Sequence, residues 1–193
     1  MRAQIKPTHQ IQRINSLSNQ LKELNQLSIE VFTKRPNEKA WSAAEVLKHM
    51  ILGHEAYESK VEAALTRLNP INDEVEVLST RAVPSFLIKR FPPQDGKIRF
   101  KMKTAKIFKP VLDNSKLSEG EVKNLLIEME KTLHQLSSWV EQTRKKDVIP
   151  VRFNSAIGSL VKFNASEACE FILCHNERHF QQLKQTISIT SKS

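Results

Sequence analysis

Four long stretches of the chain carry apolar residues at steps of three and four, which is the period of an amphipathic α-helix. The 193 residues include only four glycines, whereas the turns of a β-sandwich or barrel would require more. We therefore predict an all-α protein that folds as a four-helix bundle. The predicted helices span residues 8–34, 42–68, 118–145 and 164–188.

Capping boxes mark the starts of three of these helices. In such a box, the side chain of a Ser or Asn accepts a hydrogen bond from the backbone N–H of the residue three positions later. The Glu at that later position accepts in return from the backbone N–H of the Ser or Asn. The first helix has no box and is bounded instead by prolines, Pro7 at its start and Pro36 beyond its end. The three boxes pair Ser42 with Glu45, Ser118 with Glu121, and Asn164 with Glu167.

The connection between the second and third helices, residues 70–117, is far longer than a helix hairpin requires and contains five prolines. A connection of this length either crosses the bundle or folds over a site as a lid, and both alternatives stay open. We expect a short helix in "RAVPSFLIKRF" and a short extended segment in the last connection, "DVIPVRFNSAIGSLVKF". The apolar residues of the long connection should cover one end of the bundle, namely Val83, Phe86, Leu87, Ile88 and Phe91.

Length and composition favour a single domain over residues 1–193, because 39% hydrophobic content suffices for one well-buried core. No apolar run approaches the roughly 20 residues of a membrane span, so we expect no membrane partner and a cytoplasmic protein. Cys169 and Cys174 lie five apart on one predicted helix, roughly 140° around its axis, and cannot easily pair.

The net charge of +9 would suit nucleic acid or an anionic surface. The basic residues are spread along the chain, however, apart from a cluster at residues 97–109. Its segment "KIRFKMKTAKIFKP" interleaves basic and aromatic residues as nucleic-acid binders do, but dispersed positive charge is more typical of a solvated surface. We therefore expect no nucleic-acid partner.

Two histidines, His175 and His179, lie four residues apart within the apolar stripe of the last predicted helix. They are either hydrogen-bonded core residues or ligands of a shared metal ion, which would satisfy both rings. A third ligand would have to come from a neighbouring helix. His49 is the best candidate, because the missing side chain of Gly53 leaves space one turn further along the same strip.

The remaining histidines have ordinary interpretations. His54 lies roughly 140° from His49 around the helix, so both cannot share one ion without distortion. We expect His54 to pack between helices, His134 to lie at the surface and His9 to belong to the first turn. Three imidazole ligands leave coordination positions open, which is typical of a catalytic rather than a structural ion.

Three motifs resemble the DinB-like (DinB/YfiT) superfamily of metalloenzymes. "KAWSAAEVLKHM" is similar to the family's entry to helix two, and "CHNERHFQQL" to its HxxxHxxQ signature on the last helix. "KTAKIFKP" is similar to the segment before helix three, with Ala105 where proline is more usual. Together the motifs cover most of the chain.

The resemblance implies a DinB/YfiT-type bundle in which His49, His175 and His179 bind a divalent metal, nickel or zinc. Gln182 matches the signature glutamine, one turn from His179, and is implied as a supporting, cofactor-binding residue. Relatives include thiol-dependent transferases and an isomerase, and the family often forms homodimers.

We therefore predict a metal-dependent enzyme for a small-molecule substrate, in which the ion activates a low-molecular-weight thiol for S-transfer. Hydrolysis by metal-bound water is the nearest alternative. A second alternative is a noncatalytic module that binds an anionic partner through its basic surface. The catalytic residues beyond the metal ligands are not identified by the sequence.

Overall fold

Helices make up 59% of the computed structural model, which describes residues 2–94, 96–100 and 104–192. This content agrees with the all-α prediction, to which the structure adds two small antiparallel sheets. The helices are α1 (Pro7–Leu24), α2 (Ile29–Thr33), α3 (Ala43–Thr66), α4 (Ala82–Arg90), α5 (Glu119–Arg144) and α6 (Ala165–Thr190). The strands are β1 (Gln4–Ile5), paired with β2 (Leu78–Ser79), and β3 (Phe153–Ser155), paired with β4 (Gly158–Phe163).

All three predicted capping boxes form, at the first turns of α3, α5 and α6. In the first box, the backbone N–H of Glu45 donates to Ser42 Oγ at 3.2 Å, and the N–H of Ser42 donates to the Glu45 carboxylate at 2.8 Å. Each box satisfies backbone donors that a helix start would otherwise leave unpaired. The three helices begin and end within two residues of the predicted bounds.

The prediction of one continuous helix over residues 8–34 is wrong. α1 ends at Leu24, and the short α2 begins only at Ile29. Between them, Ser28 takes the extended backbone conformation that is usual for the residue just before a helix start, although its side chain makes no cap hydrogen bond. The break lets α2 contact α3, α5 and α6, with Phe32 almost fully buried. Phe32 is buried whether or not the helix is continuous, so the apolar period of the sequence continues across the break.

The four long helices pack against one another around a shared apolar core. α3 lies against α5 and α6, and α1 lies against the same two helices. Both cysteines are buried in this core and unpaired, as expected from their spacing. The most completely buried side chains of the core include Leu47 and Met50 from α3, Met129, Leu133 and Leu136 from α5, and Leu173 from α6.

The long connection folds back onto α6 through the predicted short helix, α4, which also contacts β4. Leu87, Ile88 and Phe91 are buried there as expected. Val83 and Phe86 are more than half exposed, at 55% and 51%, so the expectation that they cover the bundle is wrong. Only one face of α4 packs against α6 and β4. The 3.6-residue period of the helix turns Val83 and Phe86 away from that face, toward solvent.

Two further contacts attach the connections to the long helices. Arg81, just before α4, forms an ion pair with Glu167, the carboxylate of the α6 capping box. The hairpin of β3 and β4, which confirms the predicted extended segment, contacts α3, where the Tyr57 hydroxyl bonds Ser155 Oγ at 2.5 Å. These contacts hold both connections over the same end of α3 and α6.

Candidate metal centre

Three histidines from two helices converge between α3 and α6. Ring centroids of His49 and His179, and of His175 and His179, are 4.5 Å apart, and those of His49 and His175 are 5.1 Å apart. One ring nitrogen from each histidine lies within 4.8 Å of a ring nitrogen of the other two. Within the described part of the chain, this is the sole His, Cys, Asp and Glu cluster close enough to hold an ion.

The His49 ring is oriented by the long connection. The backbone carbonyl of Phe108 accepts from Nδ1 of His49 at 2.7 Å, which leaves the Nε2 lone pair free. Phe108 is buried and belongs to a single 3₁₀ turn, Lys106–Phe108, which packs on α3. The indole of Trp41 lies against the same imidazole, with centroids 4.8 Å apart. A backbone carbonyl on the outer nitrogen is a common support for a metal-binding histidine.

The His179 ring is oriented from its own helix. Nδ1 of His179 lies 2.9 Å from Oε1 of Gln182, one turn further along α6. Because a glutamine oxygen can only accept, His179 is protonated at Nδ1 and its Nε2 is free. Gln182 therefore contacts the ring that the resemblance associates with it, on the side away from the ligand nitrogen.

His175 depends on the absence of a side chain at Gly53. A Cβ built at Gly53 would lie 2.9 Å from Cε1 of His175, closer than side chains tolerate. The His175 ring also stacks on Phe91 of the long connection, with ring centroids 6.1 Å apart. The space predicted at this strip of α3 is thus filled by the imidazole of α6.

The environment of the three rings favours their neutral forms. Burial lowers the pKa of His49, and it lowers the pKa of His175 to about 3, with the nearby His49 acting in the same direction. Burial and the two neighbouring imidazoles hold the pKa of His179 well below its ordinary value. All three rings are therefore unprotonated near neutral pH, the form that binds transition metals.

A cavity of about 140 Å³ opens beside the imidazoles. Its wall is mostly apolar and aromatic, and none of the described residues that line it carries a carboxylate. Both connections contribute: the long one supplies Phe91 and Phe108, and the hairpin supplies Ile157. Because the three histidines are neutral, Arg178 is the one charged group among the described lining residues.

The other histidines lie outside this centre, as predicted. His54 bonds Oε1 of Gln135 on α5 at 2.8 Å and stacks on Trp139, with rings 4.7 Å apart and nearly parallel. It is buried between helices and faces away from His49. His134 and His9 are both exposed.

The basic cluster at residues 97–109 is described in part, since residues 101–103 lie outside the described residues. Lys97, Lys106 and Lys109 are exposed, which fits the predicted solvated surface. The segment also approaches the centre, because Arg178 donates to the carbonyl oxygen of Phe100.

Sequence reasoning missed two functional groups of the site. Arg178 stands between the two signature histidines, so its position was a usable signal for a charged wall residue. The carbonyl of Phe108 was not predictable, because a backbone acceptor has no residue-type signature and lies 59 residues from its partner.

The chain matches no protein-family model, no curated protein and no solved structure. The resemblance to the DinB-like superfamily thus rests on the three motifs, and the function must be argued from the site itself. Among the described helices, none combines the length and apolar character that crossing a membrane requires.

Proposed function

We propose that the chain is a metal-dependent enzyme in which His49, His175 and His179 bind one divalent ion, nickel or zinc. The main support is the orientation of the rings: the Nδ1 atoms of His49 and His179 are held by acceptors, which leaves Nε2 for a ligand bond. A neutral set of three imidazoles suits these borderline metals better than magnesium or calcium, which prefer oxygen. The donor set therefore fits the proposed ion.

The proposed reaction is thiol-dependent S-transfer to a small-molecule substrate. The ion would supply one thing, a lower pKa for a coordinated thiol, so that thiolate is available near neutral pH. The thiol has to come from a cofactor, because burial raises the pKa of both Cys169 and Cys174 and keeps them protonated. Phe91 and Phe171 line the cavity and give the reacting group apolar surroundings.

The lining of the cavity favours thiol transfer over hydrolysis. Activation of water commonly uses a carboxylate as general base, and no described residue of the wall offers one. A thiolate needs no such base once its proton has been lost. Arg178 adds a positive charge that favours anionic groups in the same space.

We also propose that the packing of α1, α3, α5 and α6 is a bundle of DinB/YfiT type. The supports are positional: the entry motif coincides with the first turns of α3, and the HxxxHxxQ signature lies in the middle of α6. Gln182 beside His179 is a further match to the signature. Cytoplasmic location and a homodimer complete the proposal and rest on the sequence alone.

A thiol-transfer screen tests the function. Protein loaded with zinc or nickel is mixed with cysteine, glutathione or coenzyme A and a chromogenic halide such as 1-chloro-2,4-dinitrobenzene, and thioether formation is followed by absorbance. His175→Ala removes one proposed ligand, and His134→Ala is the matched control, because His134 is exposed and outside the cluster. We expect a metal-dependent rate that His175→Ala abolishes and His134→Ala retains.

If neither a chelator nor His175→Ala changed the rate of thioether formation, the proposal of a metal-dependent transferase would be contradicted. Metal-dependent cleavage of a nitrophenyl ester without thiol transfer would favour the hydrolase instead. Histidines without metal, together with binding of a polyanion to the basic surface, would favour the noncatalytic module.

A further inference from the structure

The described residues that line the cavity beside the histidines carry an unbalanced positive charge. Among the described residues of its wall, Arg178 is cationic and no group is anionic. The adjacent Glu177 is not available, because both its oxygens accept from Arg13 of α1 at 2.7 Å. A half-buried guanidinium is costly to bury unless an anion or hydrogen-bond acceptors compensate its charge.

The guanidinium of Arg178 is held in place with donors to spare. One Nη atom donates to the backbone carbonyl of Phe100, and the Cζ atom lies 5.2 Å from the ring centroid of Phe91. A guanidinium has five N–H donors, and the remaining Nε and Nη groups have no acceptor in the part of the chain that the structure describes. Paired N–H groups in this geometry match the two oxygens of a carboxylate.

The rest of the cavity suits an apolar group of limited size. Phe91, Phe171 and Ile172 form much of the wall, and the volume is about 140 Å³. An apolar cavity of roughly 150 Å³ is known to hold one benzene molecule. The space therefore accommodates a single ring or an aliphatic group of similar size, with Arg178 at its edge.

We propose that the substrate of this site is a small carboxylate with an aromatic or similarly sized apolar group, and that Arg178 binds its carboxylate. The inference rests on the proposed function only in treating this cavity as the active site. Arg178 is then a substrate-binding residue that selects anionic over neutral compounds of the same shape.

Binding of phenylacetate and of phenylacetamide to metal-free protein tests this assignment. The two probes share one shape and differ in charge, and metal-free protein removes the ion as a competing site for the carboxylate. Affinities are measured by calorimetry or ligand-observed NMR on wild-type protein, Arg178→Gln and Arg178→Lys. Arg67→Gln is the matched control, because Arg67 is an exposed residue just after α3 and outside the cavity wall.

Wild-type protein should prefer phenylacetate over phenylacetamide by about 10-fold or more, the usual effect of hydrogen bonds to a charged group. Arg178→Gln should abolish this preference, Arg178→Lys should retain part of it, and Arg67→Gln should leave it unchanged. Thermal melting and zinc binding of each variant show that the fold and the histidine centre persist. A carboxylate preference that survives Arg178→Gln, or no phenylacetate binding by wild-type protein at millimolar concentration, would overturn the inference.

This design separates the inference from the proposed function. An Arg178-dependent preference in a protein that binds no metal supports the anion site and contradicts only the metalloenzyme. Stoichiometric metal with equal affinity for the two probes contradicts the anion site and leaves the metalloenzyme standing.

Discussion

Replacing Gly53 with alanine tests whether the position of the His175 ring controls metal binding. A Cβ at residue 53 would lie 2.9 Å from Cε1 of His175, while ordinary contact begins at 3.4 Å. The ring must therefore move by about 0.5 Å, which exceeds the tolerance of about 0.2 Å in metal–ligand distances. The ring also stacks on Phe91, with centroids 6.1 Å apart, which limits the directions in which it can move.

The same substitution has opposing effects on the metal-free fold. Alanine in place of glycine inside a helix stabilises it by about 1 kcal/mol, because the unfolded chain loses less freedom. Overlap in a packed interior costs about 1–3 kcal/mol. We expect the free energy of unfolding without metal to change by less than about 2 kcal/mol, so the variant stays folded.

Metal affinity should fall by about 10-fold or more, the range seen when groups that position metal ligands are altered. The assay is competition for zinc with a chromogenic chelator, on metal-free Gly53→Ala and wild-type protein. Gly120→Ala is the matched control, because a Cβ at this helical glycine of α5 meets only Ser118 Oγ at 3.9 Å. Equal zinc affinity in Gly53→Ala and wild-type protein would refute the steric argument.

Three further predictions concern the support of the site, pH and assembly. Gln182→Ala should lower zinc affinity by about 10-fold without loss of fold, because the Nδ1 atom of His179 loses its hydrogen-bond acceptor at 2.9 Å. The same chelator competition measures this affinity. An unchanged affinity would contradict a supporting role for this hydrogen bond. Burial lowers the pKa of His54 below its ordinary value near 6.5, so the unfolded chain binds more protons than the folded one as pH falls. The free energy of unfolding of metal-free protein, measured by urea denaturation, should therefore be constant above about pH 7 and decrease as the pH falls through about 6. The decrease should be less steep in His54→Gln. A free energy of unfolding that does not change with pH would contradict the burial of neutral histidines. Light scattering at micromolar concentration should give the mass of a dimer, and a monomer mass would reject the homodimer.

The long helices were predictable because their signals are local. A capping box spans four residues, and an apolar stripe repeats every turn, so Ser42 or Ser118 marks a helix start whatever packs against it. The break at residues 25–28 was not predictable, because the buried Phe32 continues the apolar period across it. The pairing of β1 with β2 was missed for a different reason: strands of two residues carry no periodicity.

The candidate site was predictable in its ligands and not in its walls. His175 and His179 share a helix face by spacing alone, and Gly53 distinguished His49 from His54 by leaving room beside it. The cavity depends on Phe91 and on other residues that the long connection brings from elsewhere in the sequence. Such contacts follow from how the connection packs on α3 and α6, which no local pattern encodes.

The metal content of untagged protein, measured by inductively coupled plasma mass spectrometry, tests the central claim most directly. Wild-type protein and His134→Ala, incubated with zinc and then dialysed, should each retain close to one ion per chain. His179→Ala should retain almost none, because it removes one of three imidazoles that lie within 4.8 Å of one another. Wild-type protein without bound metal, or His179→Ala with the full amount, would contradict the claim that these three histidines form a metal centre.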